Sequence, residues 1–142
     1  MDDLVQWYGE QLDEDEAAAQ DCVTRDGRWR AMGESVLGDD NAEVVSMCDL
    51  VDAAHIARHD PARVLREIEA KRQVLAMAQA RIEEAASSDY LVNGPARMAL
   101  VVMEPVLKSL ASVYADRPGF RPEWGADLPS PHEDEPPPCV SR

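Results

Sequence analysis

The chain has few aromatic residues, no long apolar run and an odd number of cysteines. Only seven of its 142 residues are aromatic, so a hydrophobic core must consist mostly of aliphatic and small side chains. No apolar stretch reaches the roughly 18 residues that a membrane-spanning helix requires. The N-terminus lacks a basic segment followed by an apolar one, so we expect no secretion signal and a cytoplasmic location. Three widely spaced cysteines favour free thiols over disulfides: Cys22, Cys48 and Cys139.

Basic residues are scarce as well. The chain carries 28 acidic and 14 basic residues, for a formal net charge of −14, and residues 1–21 contain eight acids without any Lys or Arg. Because such a chain repels phosphate groups, we expect no direct binding to nucleic acid or to anionic membranes. The acidic run at residues 13–16 predicts an exposed, solvated helix face. Alternatively, its carboxylates imitate DNA and inhibit a DNA-binding host protein.

The residues that are abundant favour helices. Ala, Glu, Asp, Arg and Leu dominate, and the spacing of apolar positions predicts one mainly α domain of the α+β class over residues 1–124. A small antiparallel β meander, anchored by Trp29, should pack on the helices. The predicted elements are a helix over 2–20, the meander over 28–47, helices over 49–58 and 61–86, a helix over 95–115 kinked by Pro105, and a disordered, acidic, Pro-rich tail over 125–142.

The predicted long helix begins with a clear start signal and carries a heptad pattern. Asp60 should cap it, and Pro61 should occupy its first position, where a missing N–H costs nothing. Its apolar seam follows alternating spacings of three and four: Leu65, Ile68, Arg72, Leu75, Gln79 and Ile82. Packing inside the domain, against residues 3–12 and 98–113, explains most of this seam. Its distal half, residues 75–82, is the candidate interface for a partner helix or a homodimer.

Two histidines are spaced so that one helix face presents both. His55 and His59 are four residues apart, and Asp52 and Cys48 extend the same face. These residue types can bind a metal, but one helix rarely surrounds an ion by itself. His59 also lies at the predicted helix end, where a histidine can bond the last carbonyls. The favoured interpretation is therefore a packing or capping role, with a metal site at His55, His59 and Asp52 as the alternative.

Three blocks resemble a family of small actinobacterial and actinophage proteins with no assigned function. They cover residues 3–19 (DLVQWYGEQLDEDEAAA), 52–72 (DAAHIARHDPARVLREIEAKR) and 107–124 (LKSLASVYADRPGFRPEW). Many relatives carry Pro-Gly-Pro-Trp before the β hairpin, where this chain has Asp-Gly-Arg-Trp at 26–29. Many also carry cysteines that residues 81–104 lack here, so a metal role suggested by those cysteines does not carry over. The resemblance implies phage or mobile-element origin and no catalytic residues.

No catalytic motif is present in the sequence. The chain lacks a G-x-S-x-G turn, a phosphate-binding Walker A loop and a C-x-x-C pair. We therefore expect a non-enzymatic accessory protein that needs no cofactor and acts through helix-mediated protein contacts, including a possible homodimer. The acidic inhibitor is the alternative function, and a His-based metal-binding protein is a further one.

Overall fold

The fold is mainly helical with one small sheet, as the sequence predicts. In a computed structural model, residues 1–22 and 27–125 are described. This part of the chain forms four helices, α1 (Asp2–Asp21), α2 (Leu50–Arg58), α3 (Pro61–Ala85) and α4 (Tyr90–Ala111), and three strands, β1 (Trp29–Met32), β2 (Ser35–Gly38) and β3 (Glu43–Val45). Two short 3₁₀ turns follow α4, at Ser112–Tyr114 and Pro122–Trp124. The α+β, mainly α class is confirmed.

Helices α1, α3 and α4 form a bundle around the main core. α3 lies in the middle, with α1 packed along one side and α4 along another. On α1, Leu4, Tyr8 and Leu12 recur every four residues, so all three point to one face, and all three are buried. They meet Ile68 and Leu75 of α3. Each aliphatic side chain buried in this way contributes about 1.5–3 kcal/mol.

The β meander and α2 form a smaller unit at the end of the bundle. The strands pair antiparallel in the order β1-β2-β3, and a two-residue turn joins β1 to β2. Gly33 occupies that turn at φ +62°, a conformation that glycine adopts without strain. Helix α2 packs on β1 and β2, and Val36 and Ala53 are fully buried. Val36 is more buried than Trp29, the anchor predicted from the sequence.

The start of α3 matches its prediction. The Asp60 carboxylate accepts a hydrogen bond from the Arg63 backbone N–H at 2.7 Å, and Pro61 fills the first helical turn. Helix α2 begins one residue later than predicted, with Asp49 before it, and the Asp49 side chain makes no capping hydrogen bond. Local sequence signals therefore position the break between α2 and α3.

Helix α4 starts five residues earlier than predicted. Asn93-Gly94-Pro95 indicated a loop, but the helix begins at Tyr90 and contains both Pro95 and Pro105 without being split. Asp89 caps it by accepting a hydrogen bond from the Leu91 N–H at 2.9 Å. The cap and the burial of Ala96 outweigh the helix-breaking tendency of glycine and proline. The helix ends at Ala111 and passes into the first 3₁₀ turn.

An aromatic cluster fastens the C-terminal segment to α1. The Trp7 ring lies 5.6 Å from Phe120 and 5.3 Å from Trp124, and its Nε1 donates to the Pro118 carbonyl at 3.0 Å. This contact includes residues up to Trp124 in the same folded unit. The tail predicted over residues 125–142 lies outside the described residues except for Gly125, and so does Cys139.

Candidate interaction surfaces

The acidic run of α1 is largely paired within the chain rather than free. Arg72 on α3 reaches Asp13 at 2.6 Å and Glu16 at 2.5 Å. The hydrogen bond that Arg72 donates to Asp13, together with the one that it donates to Glu16, raises the pKa of its guanidinium. Arg72, one of the six seam residues, thus lies at the edge of the α1–α3 contact and links the two helices.

A second basic residue holds the other half of this run. Arg117 contacts Asp15 at 2.5 Å and Glu14 at 3.4 Å, and the Tyr114 hydroxyl donates to Asp15 at 2.6 Å. Burial, followed by the hydrogen bond to Asp15, raises the pKa of Tyr114 well above its usual value. The prediction of a solvated face therefore holds for Asp13 and Glu14, which are exposed, and is wrong for Asp15 and Glu16, which are half-buried.

An open groove of about 750 Å³ runs between α1 and α3. Leu75, Ile82 and Val5 form its apolar floor, and Gln79 lies at its edge. Its remaining lining is mostly acidic or amide: Asp2, Gln6, Gly9, Glu10, Asp13, Arg72 and Glu83. The structure thus brings together four of the six seam residues at one surface feature.

The seam residues differ in accessibility. Ile68 and Leu75 belong to the core, at 3% and 6% exposure, so their side chains serve packing inside the domain. Leu65 and Ile82 are half-buried, and only Gln79 is exposed. What remains available to a partner at the distal half is a narrow strip rather than an apolar face.

The histidine pair is exposed and lies at the end of α2. The two rings are 4.4 Å apart between centroids, and His59 Nδ1 lies 3.0 Å from the His55 carbonyl oxygen, to which it can donate. This is the capping contact predicted for His59. The Cys48 thiol points to the Glu34 carbonyl instead, at 3.4 Å. Within residues 1–22 and 27–125, no three His, Cys, Asp or Glu side chains form a group that could hold a metal.

Six of the 14 large apolar side chains that the described residues expose lie on the outer face of α4, which was not among the surfaces predicted from the sequence. Its members are exposed, with Leu91 at 82%, Met98 at 69% and Val102 at 69%. They project to one side of the helix, except Val101, which lies at the edge of this face, about 90° from its centre and next to the charged residues of α4. We call this face the α4 stripe; it consists of Leu91, Pro95, Met98, Val101, Val102, Pro105, Val106 and Val113, the last lying in the 3₁₀ turn after α4.

The opposite side of α4 is also apolar. Ala96, Leu107 and Ala111 are buried against the rest of the bundle. Helix α4 is therefore apolar on two sides, and its charged residues Arg97, Glu104 and Lys108 lie on a third. Although α4 is apolar, none of the helices in the described part of the chain is long and apolar enough to cross a membrane.

Comparison with known families assigns the chain to one of them. A family described as a family of unknown function, DUF6221, matches residues 1–126. The chain belongs to DUF6221. No curated protein and no solved structure matches it.

The DUF6221 match spans every element described above, from α1 to the second 3₁₀ turn. Both surfaces, the α1–α3 groove and the α4 stripe, therefore lie within the family region. The spacing of apolar residues in the sequence of this DUF6221 chain indicates the stripe. Leu91, Met98 and Val102 follow spacings of seven and four, which places them on one helix face, apart from buried Leu107.

Proposed function

We propose that this protein is a non-enzymatic accessory protein that acts through protein–protein contacts made by the α4 stripe. The observation that carries this proposal is the exposure of a continuous apolar face on a helix whose other side is already buried. Water-exposed apolar surface of this extent is costly, and it commonly marks a site that another protein covers.

The α4 stripe supports this function better than the predicted interface on α3 does. The α3 seam directs Ile68 and Leu75 into the core, whereas the α4 stripe directs Met98 and Val102 into solvent. A partner that covers the stripe removes whole side chains from water, at about 0.8 kcal/mol for each buried CH₂ group. Helix-mediated contact therefore remains the proposed mode of action, with the helix changed from α3 to α4.

The acidic-inhibitor alternative receives less support. Five of the eight acids of α1 lie in ion pairs with arginines of the same chain: Asp3, Asp13, Glu14, Asp15 and Glu16. A carboxylate held by its own arginine offers a basic partner little net charge. The resemblance noted in the sequence supports a phage or actinobacterial origin, and the free thiols of Cys22 and Cys48 support a cytoplasmic location.

The proposal can be tested by methionine oxidation inside cells. Met98 lies on the α4 stripe, and Met77 lies on α3 with a similar exposure of 61%. Exposed methionines are converted to sulfoxide faster than covered ones. In cells that naturally contain the protein, mild peroxide should oxidise Met98 several-fold more slowly than Met77, as measured by peptide mass spectrometry.

The control is the same comparison after unfolding the purified chain in urea, where the two methionines should react at similar rates. Equal oxidation of Met98 and Met77 in cells would contradict the proposal, because the stripe would then be open to water.

A further inference from the structure

We infer that the α4 stripe is covered by the α4 stripe of a second copy of this chain, with the two helices antiparallel about a twofold axis near Val102. This inference rests on the proposed function, since it names the partner of the same surface. Three observations support it: the charge of the stripe, its area and its symmetry.

The stripe carries no charge. The charged residues of α4 are Arg97, Glu104 and Lys108, and each lies about 100° or more around the helix from the centre of the stripe. Lys108 and Glu104 already pair with one another at 3.1 Å. A highly charged partner would find nothing complementary on such a surface. An uncharged apolar helix face is complementary, and the stripe of a second copy has that chemistry.

The area of the stripe suits a stable homodimer. With on the order of 100 Å² for each large exposed apolar side chain, the eight residues present roughly 700 Å². Stable interfaces bury about 800 Å² on each partner, whereas the largest apolar patch on a monomer is about 300–600 Å².

The arrangement of the stripe fits a twofold axis. When two copies of a helix pair antiparallel about a twofold axis, a residue of one copy lies opposite a residue of the other copy, and the two residue numbers always add up to the same sum. Centred on Val102, this places Leu91 opposite Val113 and Met98 opposite Val106 of the second copy, and Val102 opposite its own counterpart, so five of the eight members meet another member. A twofold interface requires such self-complementarity. Antiparallel packing also aligns the helix dipoles favourably, whereas parallel packing would place Arg97 and Lys108 level with their own counterparts.

The composition of residues 126–142 makes this segment poorly suited to cover the stripe. Residues 126–142 contain five prolines and four acids but only two large aliphatic residues, Leu128 and Val140. Covering a charge-free stripe with this segment would bring carboxylates next to apolar side chains and cost solvation free energy.

The test uses the full-length purified chain and two pairs of variants. Sedimentation velocity should show a dimer at about 100 µM, well above the micromolar dissociation constants of weak interfaces of this size. Val102→Asp should raise the dimer dissociation constant on the order of 100-fold or more, because it buries an unpaired charge. Met77→Asp adds the same charge away from the stripe and should leave the dimer intact. Circular dichroism checks that both variants are folded.

Cross-linking tests the predicted register independently. In a background with Cys22, Cys48 and Cys139 changed to Ser, Val102→Cys should form a disulfide-linked dimer on mild oxidation, because Val102 lies next to its own counterpart. Met77→Cys is the matched control and should remain mostly monomeric.

The outcomes separate this inference from the proposed function. If the wild-type chain is monomeric but its Met98 is still protected in cells, the inference of a second copy is overturned. The proposed function then stands, with a different protein covering the stripe. A dimer that Val102→Asp leaves unchanged, with no Val102→Cys cross-link, would place the dimer interface elsewhere and overturn the inference. Dissociation by Val102→Asp together with the cross-link supports it.

Discussion

Tyr8 and Tyr114 are in contact, but in the described part of the chain only one of their two hydroxyl groups is hydrogen-bonded. This difference predicts different effects on stability when each hydroxyl group is removed. The Tyr8 hydroxyl is fully buried and has no hydrogen-bond partner among the described residues, whereas the Tyr114 hydroxyl donates to Asp15. An unsatisfied buried hydroxyl destabilises a fold, and a hydrogen bond to a carboxylate stabilises it. Urea denaturation should show Tyr8→Phe to be neutral or up to about 1 kcal/mol more stable. In the same measurement, Tyr114→Phe should lower the free energy of unfolding by about 1.5–3 kcal/mol.

Alkaline pH provides a second measurement on the same pair. Burial, with a smaller contribution from the charge of Asp15, raises the pKa of Tyr8 from 10 to about 12. The unfolded chain therefore loses this proton at a lower pH than the folded chain does, so stability is full below pH 10 and declines as pH rises from 10 to 12. In Tyr8→Phe the free energy of unfolding should decline less over this pH range, by about 1.4 kcal/mol for each unit of pKa shift that the substitution removes. A Tyr8→Phe variant that is clearly less stable at neutral pH would contradict the assignment of an unsatisfied hydroxyl.

At the scale of the elements, the sequence predicts boundaries well where the signal is local. Asp60 and Pro61 are adjacent in the chain and define a helix start without any help from tertiary structure. The start of α4 could not be predicted in the same way, because Gly94 and Pro95 disfavour a helix locally. The helix forms there because Asp89 caps it and Ala96 packs in the bundle, and the second of these contacts depends on the folded chain.

The segment after α4 depends on one close approach between backbone and ring, and this gives a prediction for that element. Gly119 has φ +84°, and a Cβ at this position would lie 2.9 Å from Trp7 Nε1. Gly119→Ala should therefore destabilise the fold by about 2–3 kcal/mol in urea denaturation, from backbone strain together with the clash. Gly33→Ala is the matched control, since its φ is +62° but nothing lies within 4 Å of the added Cβ.

Gly33→Ala should lower the free energy of unfolding through backbone strain alone, by about 1–2 kcal/mol. Equal losses for the two variants would show that the Trp7 contact adds nothing to the stability of the C-terminal segment.

At the scale of the whole molecule, the sequence indicates which helix faces are apolar but not which of them the fold covers. The seam of α3 and the two faces of α4 all show helical spacing, and the heptad pattern drew attention to Leu75 and Ile82. In the bundle, α3 lies between α1 and α4, so most of its seam is buried. α4 lies at the outside, and the face that contains Val102 remains exposed. Burial of a face depends on helix order, which periodicity does not encode.

The net charge of −14 on each chain gives a prediction for the whole assembly. Two copies that pair through an uncharged stripe still repel one another at long range, and added salt screens that repulsion. The dimer dissociation constant should fall about three- to tenfold as NaCl is raised from about 20 to about 300 mM. Sedimentation equilibrium across this range is the measurement, with Val102→Asp as the variant that should stay monomeric at every salt concentration. Contacts through charged groups would show the reverse trend. A dissociation constant that rises with salt would therefore place the interface on oppositely charged groups of the two copies instead of the α4 stripe.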